Sequence, residues 1–364
     1  MTDLDYMKKA FQLSLRAKGE TWPNPVVGAV IVKNGKIISE GHHRYCGSDH
    51  AEVVALKKAG NKARSAKLYV TLEPCSHFGR TPPCVDAIIQ SGIKEAIFAV
   101  KDPNPINSGK SIQKLKQAGI KVRFGFLEKE VFKANEPFFK YIKTKMPFVT
   151  AKIAQTLDGK IAASNGRSQW ITSKEARDYA HRLRQEFDAI LVGVNTVLAD
   201  DPRLSAVKKF KQIKKIIVDT HLRTPERSRI FKNTLPSDVI IATTKKSSLA
   251  KRNSFLKRGV DIVICPTKNS YVDIKWLFKR LTEREIVNLL IEGGGRIIGS
   301  ALRENLVDRM LVFIAPKILG DTQAISSACG LTARHVDDAI KLRDLSVKKI
   351  GQDILLEAYV HRDR

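Results

Sequence analysis

Strand-sized apolar runs alternate along this chain with stretches whose apolar side chains recur every three or four positions, the pattern of an α/β protein. Met7, Ala10, Phe11 and Leu15 share one face of a helix over about 3–18, and Thr2 with Asp5 supplies a capping box at its start. Pro23-Asn24-Pro25 breaks the chain. Val26 to Val32 then reads as a strand, and Asn34-Gly35 as a tight hairpin turn into a second one. Gly41 to Asp49 is a polar loop carrying His42 and His43, where histidines are ordinarily exposed. Helices follow over 52–58, 84–90 and 112–118, and strands over 68–72, 96–100 and 121–125. This alternation predicts a three-layer α/β/α domain over 1–146, closed by a basic, aromatic helical connector at 128–146.

The alternation restarts after Met146-Pro147 in a second domain, 147–364. Strands are expected at 148–154, 189–192, 215–219, 238–242, 260–264, 286–291, 309–314 and 353–359. Thr156-Leu157-Asp158-Gly159-Lys160 is a turn feeding a hairpin strand, and Ser173 caps a helix over 174–186. Glu292-Gly293-Gly294-Gly295 joins a strand to a helix at 296–305; a glycine turn opening a helix offers bare N–H groups to a phosphate, although a plain tight turn reads the same way. The run does not fit G-x-G-x-x-G, because Ile298 stands at the third position and Gly299 comes one later, so a standard dinucleotide-binding fold is disfavoured.

A length of 364 residues accommodates two domains, each with a real core, and 43% hydrophobic residues is ordinary for a globular protein. The apolar runs are too short to span a membrane. The first residues, Met1-Thr2-Asp3-Leu4-Asp5, are acidic and lack a signal-peptide core. Of five cysteines, Cys46, Cys265 and Cys329 show no pairing pattern, so a reducing cytoplasm is expected. The net charge of +27 raises nucleic acid as a partner. The excess is mostly scattered lysine, with a cluster at Lys208, Lys209, Lys211, Lys214 and Lys215 that has no interleaved aromatics. A lysine-rich surface that attracts small anionic substrates is the better reading, with no nucleic-acid partner.

Candidate chemistry sits between residues 50 and 84. His50, Cys75 and Cys84 offer one nitrogen and two sulfurs, a set that suits zinc with a fourth position left for water. Glu52, two residues from the histidine, is placed to move that water's proton to a leaving amine. His-x-Glu and Pro-Cys match the signature of zinc deaminases acting on bases, but the second cysteine comes later than in Cys-x-x-Cys. A closed structural zinc site would need no such carboxylate and would carry four protein ligands.

In this order the motifs resemble the bifunctional bacterial riboflavin-biosynthesis deaminase–reductases across nearly the whole chain. The carriers are Asn24-Pro25-Val26-Val27-Gly28, His50-Ala51-Glu52, the run from Glu73 to Cys84, Asp102-Pro103-Asn104-Pro105, Leu157-Asp158-Gly159-Lys160, Ser168-Gln169-Trp170-Ile171-Thr172, the run from Thr196 to Pro202, and Glu292-Gly293-Gly294. The late second cysteine is that family's own spacing. The resemblance implies a cytidine-deaminase-like domain followed by a dihydrofolate-reductase-like α/β domain. The first removes ammonia from a phosphoribosylamino-diaminopyrimidine; the second reduces the ribosyl group to ribityl with NADPH. It implies zinc on His50, Cys75 and Cys84, catalysis by Glu52, and deaminase-site contacts from Asn24, Arg80, Thr81, Asp102 and Asn104. It places NADPH against Ala154, Trp170, Thr196, Asp200, Thr220, Gly294, Gly295, Arg296, Ile297, Ile298, Gly299 and Ser300. It places substrate against Lys152, Ser168, Arg184, Leu204 and Glu292. Self-association through the reductase domain is expected with it. Val207 stands where such proteins often carry an arginine, and Lys208 is the expected substitute for phosphate gripping.

Overall fold

The computed structural model describes residues 1–79, 81–206 and 213–360. They form two compact units, Met1–Lys145 and Met146–Arg364.

In the first unit, helix α1 (Asp3–Ser14) leads through a 3-10 turn to strands β1 (Gly28–Lys33) and β2 (Lys36–His42). The capping box of Thr2 and Asp5 is present. Then follow α2 (Ala51–Ala59), β3 (Lys67–Leu72), α3 (Cys84–Gln90), β4 (Glu95–Val100), α4 (Lys110–Gln117), β5 (Lys121–Phe124), α5 (Glu128–Ala134) and α6 (Glu136–Thr144). The sheet order is β2-β1-β3-β4-β5; β1 runs antiparallel to β2 and β3, and β3, β4 and β5 are parallel. Two glycines reveal the layers. Gly28 pairs with His42 and Ala29 with Gly41, so the two glycines face opposite sides of the sheet. A Cβ at Gly28 would lie 2.0 Å from the Ala10 carbonyl oxygen of α1, and one at Gly41 would lie 2.3 Å from that of Ala51 in α2. One helix therefore seats on each face, and the three-layer arrangement follows.

The second unit contains β6 (Phe148–Thr156), β7 (Lys160–Ala162), α7 (Lys174–Leu183), β8 (Ala189–Gly193), α8 (Val194–Asp200), β9 (Lys214–Val218), β10 (Val239–Thr244), α9 (Leu249–Lys257), β11 (Asp261–Cys265), β12 (Thr267–Lys268) and β13 (Tyr271–Val272). It continues with α10 (Ile274–Thr282), β14 (Asn288–Gly293), α11 (Gly295–Arg303), β15 (Arg309–Ala315), β16 (Ile325–Ser326), β17 (Leu342–Ile350) and β18 (Asp353–Val360). The nine-stranded sheet has the order β11-β10-β9-β8-β14-β6-β15-β18-β17. Neighbours from β11 to β15 are parallel, whereas β18 and β17 run antiparallel at the edge. The chain starts at the centre with β6, moves outward through β8 to β11, and returns to place β14 between β8 and β6. That reversal opens a crevice at the carboxyl ends of the central strands, where open α/β sheets bind ligands. Ile216, Ile217, Leu289 and Ile291 are almost fully buried, as strands covered on both faces require.

Among the described residues no helix is long and apolar enough to cross a membrane.

Candidate active sites

In the first unit three helix or strand ends converge. His50 is the N-cap of α2, Cys84 is the first residue of α3, and Cys75 lies in the loop after β3. The His50 Nδ1 is 3.1 Å from the Cys84 sulfur and 3.6 Å from the Cys75 sulfur, and all three ligand atoms lie within 4.8 Å of one another. Three such atoms brought this close together suit a shared zinc ion. The opposite ring nitrogen, Nε2, is 3.3 Å from the Thr81 hydroxyl, a partner that leaves Nδ1 free to ligate. The Cys84 backbone N–H donates to the Cys75 sulfur at 3.2 Å. Bonds from Cys84 and His50 hold the Cys75 thiol down to about 4, and the adjacent Cys75 sulfur with burial pushes Cys84 up.

Glu52 sits in the first turn of α2 and is 3% exposed. Its Oε2 is buried without a protein partner, and burial pushes its carboxyl up to about 7. An orphaned acid of that kind beside a metal-ligand trio fits a proton carrier whose partner is a substrate or a water.

The other expected deaminase residues come from loops around this cluster. The Asn24 amide is 3.1 Å from His43 Nε2. Asp102 is buried, accepts from the Asn104 N–H at 2.8 Å, and is pushed up chiefly by burial. His43 corrects the expectation of an exposed loop histidine: it is 2% exposed, packs edge-on against His50, and hydrogen-bonds through Nδ1 to the Asp49 carbonyl. Residues that sequence reading missed also bind the cysteine loop, above all Glu73 and Asn107. The Glu73-Pro74-Cys75 run and the Asn that follows Pro105-Ile106 were visible, but their meeting across the fold was not.

In the second unit the expected residues gather at the carboxyl ends of β6, β8, β9 and β14. The ladder between β14 and β8 shifts register between Ile291 and Gly293, so Glu292 occupies a bulge that turns its side chain out of the regular alternation. Arg184 grips it with a fork of 2.6 and 2.8 Å bonds. Burial raises the Glu292 carboxyl, but Arg184 outweighs it and the net shift is downward. Lys152 is partly buried on β6, and burial lowers its amine against the pull of Glu292 and Asp200. The Ser168 hydroxyl donates to Asp200 at 2.6 Å. Thr196 lies under the glycine turn, 3.0 Å from where a Gly293 Cβ would stand. Arg177, which sequence reading missed, stacks 4.2 Å over the exposed Trp170 ring.

Other expected members are turned inward. Leu204, expected against substrate, is only 3% exposed as a whole residue and packs in an apolar cluster, so it offers a ligand almost no surface. Ile298 is buried, and a Cβ on Gly299 would lie 1.9 Å from the Cys329 carbonyl oxygen. Thr220 accepts from the Val272 N–H through its hydroxyl. The first turn of α11, from Gly295 and Arg296, keeps N–H groups with no intrahelical acceptor, which suits a phosphate. Ala154 sits near the end of β6, opposite Phe313 of β15. Arg80, Val207 and Lys208 lie outside the described residues.

Two family descriptions match this chain: the cytidine and deoxycytidylate deaminase zinc-binding region over residues 1–100, and the RibD C-terminal domain over 147–356. Riboflavin biosynthesis protein RibD of Aquifex aeolicus is 48% identical, with 97% of each chain covered. Its counterpart from Escherichia coli is 37% identical, over 98% of this chain and 99% of the relative. The solved structure of Acinetobacter baumannii RibD superposes with a TM-score of 0.90 at 35% identity, covering 99% of both chains. A diaminohydroxyphosphoribosylaminopyrimidine deaminase/5-amino-6-(5-phosphoribosylamino)uracil reductase from Thermotoga maritima does so at 0.86 and 36%, over 98% of both.

Proposed function

We propose, for a chain that belongs to the RibD family of bifunctional riboflavin-biosynthesis deaminase–reductases, which of its residues perform the two reactions. The enzyme is a zinc-dependent deaminase and an NADPH-dependent reductase acting on a small phosphorylated pyrimidine.

His50 through Nδ1, Cys75 and Cys84 hold the zinc in our assignment. Zinc bound there supplies a Lewis acid and an activated water. Glu52 takes one proton from the attacking water and gives it to the ring nitrogen, then takes the second from the added hydroxyl and gives it to the amine, so that the carbonyl forms, the C–N bond breaks and ammonia leaves. Burial raises its carboxyl, which favours its accepting and returning a proton. Asn24, Thr81, Asp102 and Asn104 orient the ring around that point, and Arg80 is assigned to the phosphate.

The deaminated product then needs a hydride at the first ribosyl carbon and a proton on the ring oxygen that opens. NADPH supplies the hydride. The turn before α11, Thr196, Asp200, Trp170, Ala154 and the Thr220 loop line its side of the crevice. Lys152 and the Arg184–Glu292 pair hold the sugar, with Ser168 beside them.

The observation that carries the deaminase assignment is the orphaned, buried Glu52 oxygen beside the ligand trio. In a coupled assay on the diaminopyrimidine with NADPH, Glu52→Gln should lower ammonia release by a factor on the order of 10²–10⁴. NADPH oxidation should fall with it, and should return when deaminated product is supplied. Retained ammonia release would remove Glu52 from the mechanism, and slowing by added tRNA at physiological salt would argue for a nucleic-acid substrate.

We further place a second copy of the chain on the β17 edge. On the sheet face opposite α7, Ile314, Ile354, Leu356 and Val347 lie side by side across β15, β18 and β17. Ile354 and Val347 remain 43% and 64% exposed. An unpaired edge ladder continuous with an apolar strip is satisfied on both sides by a two-fold copy of itself. A cytoplasmic location suits two thiols that must stay reduced to ligate.

A further inference from the structure

We infer that Asn107 is the positioning residue that presents the Cys75 thiolate to zinc and, with the same amide, fixes the Asp102 carboxylate; this rests on the assignment of zinc to His50, Cys75 and Cys84. Asn107 is 0% exposed. Its Oδ1 accepts from the Ser76 N–H at 2.7 Å, and its Nδ2 donates to the Pro74 carbonyl at 3.0 Å. Those are the residues immediately before and after Cys75. The second Nδ2 proton goes to Asp102 Oδ2 at 2.9 Å, so both donors of the amide are engaged.

The grip extends along the loop. Glu73 accepts from the Asp102 N–H at 3.1 Å with one oxygen, and from the Gly109 N–H and the Ser111 hydroxyl at 2.9 and 2.7 Å with the other. Lys114 donates to the Ser76 carbonyl at 2.9 Å. The segment 102–114 thus clamps Glu73, Pro74 and Ser76 and leaves the Cys75 sulfur to face His50 and Cys84. Asn107 alone among these residues touches both sides of the cysteine and a substrate-site carboxylate. A neutral amide is required, because Pro74 and Asp102 present acceptors while Ser76 presents a donor. A carboxylate at 107 would keep the bond to Ser76 and set an oxygen against two others. Groups that orient metal ligands in this way influence metal affinity almost as strongly as the ligands do.

The test titrates full-length parent, N107D and N107S against a chromophoric zinc chelator, with Cys75→Ser as the control that lacks the site. The parent should hold one zinc that Cys75→Ser loses. N107D should bind it on the order of 10–100-fold more weakly. N107S, which keeps a hydroxyl in the space, should fall between and reads the same constant if N107D does not fold. NADPH oxidation with already deaminated substrate should be unchanged in both, which reports the amount of folded chain. At saturating zinc the KM of ammonia release should rise more than kcat falls, because Asp102 has lost its donor. Adding Asp102→Asn to N107D should recover part of the zinc affinity, since the amide introduced at 102 donates to the carboxylate introduced at 107. Zinc constants within twofold of the parent in N107D and N107S would overturn the inference. A parent that holds no zinc would overturn the zinc assignment beneath it instead.

Discussion

At the residue scale, the Arg184–Glu292 pair shows how a buried charge is made tolerable and what depends on it. The Glu292 side chain is 6% exposed. Breaking such a pair by removing one member leaves the other charge without compensation, at about 3–5 kcal/mol. Arg184→Ala should therefore destabilise the second unit by that order at pH 7, read by denaturant unfolding. The sign of the pH dependence follows from the shifts. In the parent the folded Glu292 value lies below the unfolded one, so its contribution is full above the ordinary glutamate range and is lost as pH falls through the lower folded value. Without Arg184, burial alone acts and raises that value, so the carboxyl folds best protonated. The penalty of Arg184→Ala should shrink as pH drops from 7 toward 4. A deficit that stays constant across that range would assign the cost to lost packing. The His50, Cys75 and Cys84 trio and Glu52 were legible in the sequence because His-x-Glu and Pro-Cys match a deaminase signature, while the late Cys84 was read from the family resemblance. Asn107, Glu73 and Arg177 were not, because each acts on residues distant in the chain and no local pattern marks them.

Elements tell a similar story. The strands of the parallel sheets were legible because burial on both faces demands unbroken apolar runs such as Ile216-Ile217-Val218. The first helix was expected to reach residue 18; it stops at Ser14 and tightens into a 3-10 turn over Leu15–Ala17. The reading placed no helix at 249–257 or 274–282, although Asp273 caps the latter through the Trp276 N–H. It also placed no strand at 342–350, where a bulge between Arg343 and Ser346 interrupts the alternation and leaves almost every residue exposed. The glycine turn read equally as a phosphate cradle or a plain tight turn; the fold shows what its helix packs against. Segment 326–329 lies directly against α11, with the Cys329 N–H donating to the Gly295 carbonyl at 3.1 Å. Gly299→Ala would drive a methyl into the Cys329 backbone, an overpacking that costs about 1–3 kcal/mol or more because backbone yields poorly. It should lower the thermal midpoint of the reductase unit and weaken NADPH binding in a fluorescence titration, while ammonia release stays at the parent rate. Parent-like NADPH affinity would show that the segment adjusts without disturbing the turn.

For the whole molecule, composition and alternation predicted two domains of mixed α/β type, and the expected similarity to deaminase and reductase families is matched by sequence and by fold. What composition could not convey was the exposed strip at the β17 edge, since single apolar residues between lysines read as an ordinary surface. If that strip seats a second copy, Val347→Asp should shift the mass measured by light scattering from dimer or higher to monomer without unfolding either unit. A parent that is already monomeric at micromolar concentration would remove the proposal. The strand orders of the two units also differ in when they can be completed. The first sheet needs nothing beyond β5, which ends at Phe124. The second places β14 and β15 on either side of β6, so Phe148 lies opposite Asn288 and Ala154 opposite Phe313. As the chain leaves the ribosome, the deaminase can fold while synthesis continues, but β6 must wait, bare on both edges, for most of the remaining sequence. The newborn chain thus passes through a period with one finished half and one exposed, aggregation-prone half, and translation speed or chaperone supply should govern the yield of reductase before that of deaminase.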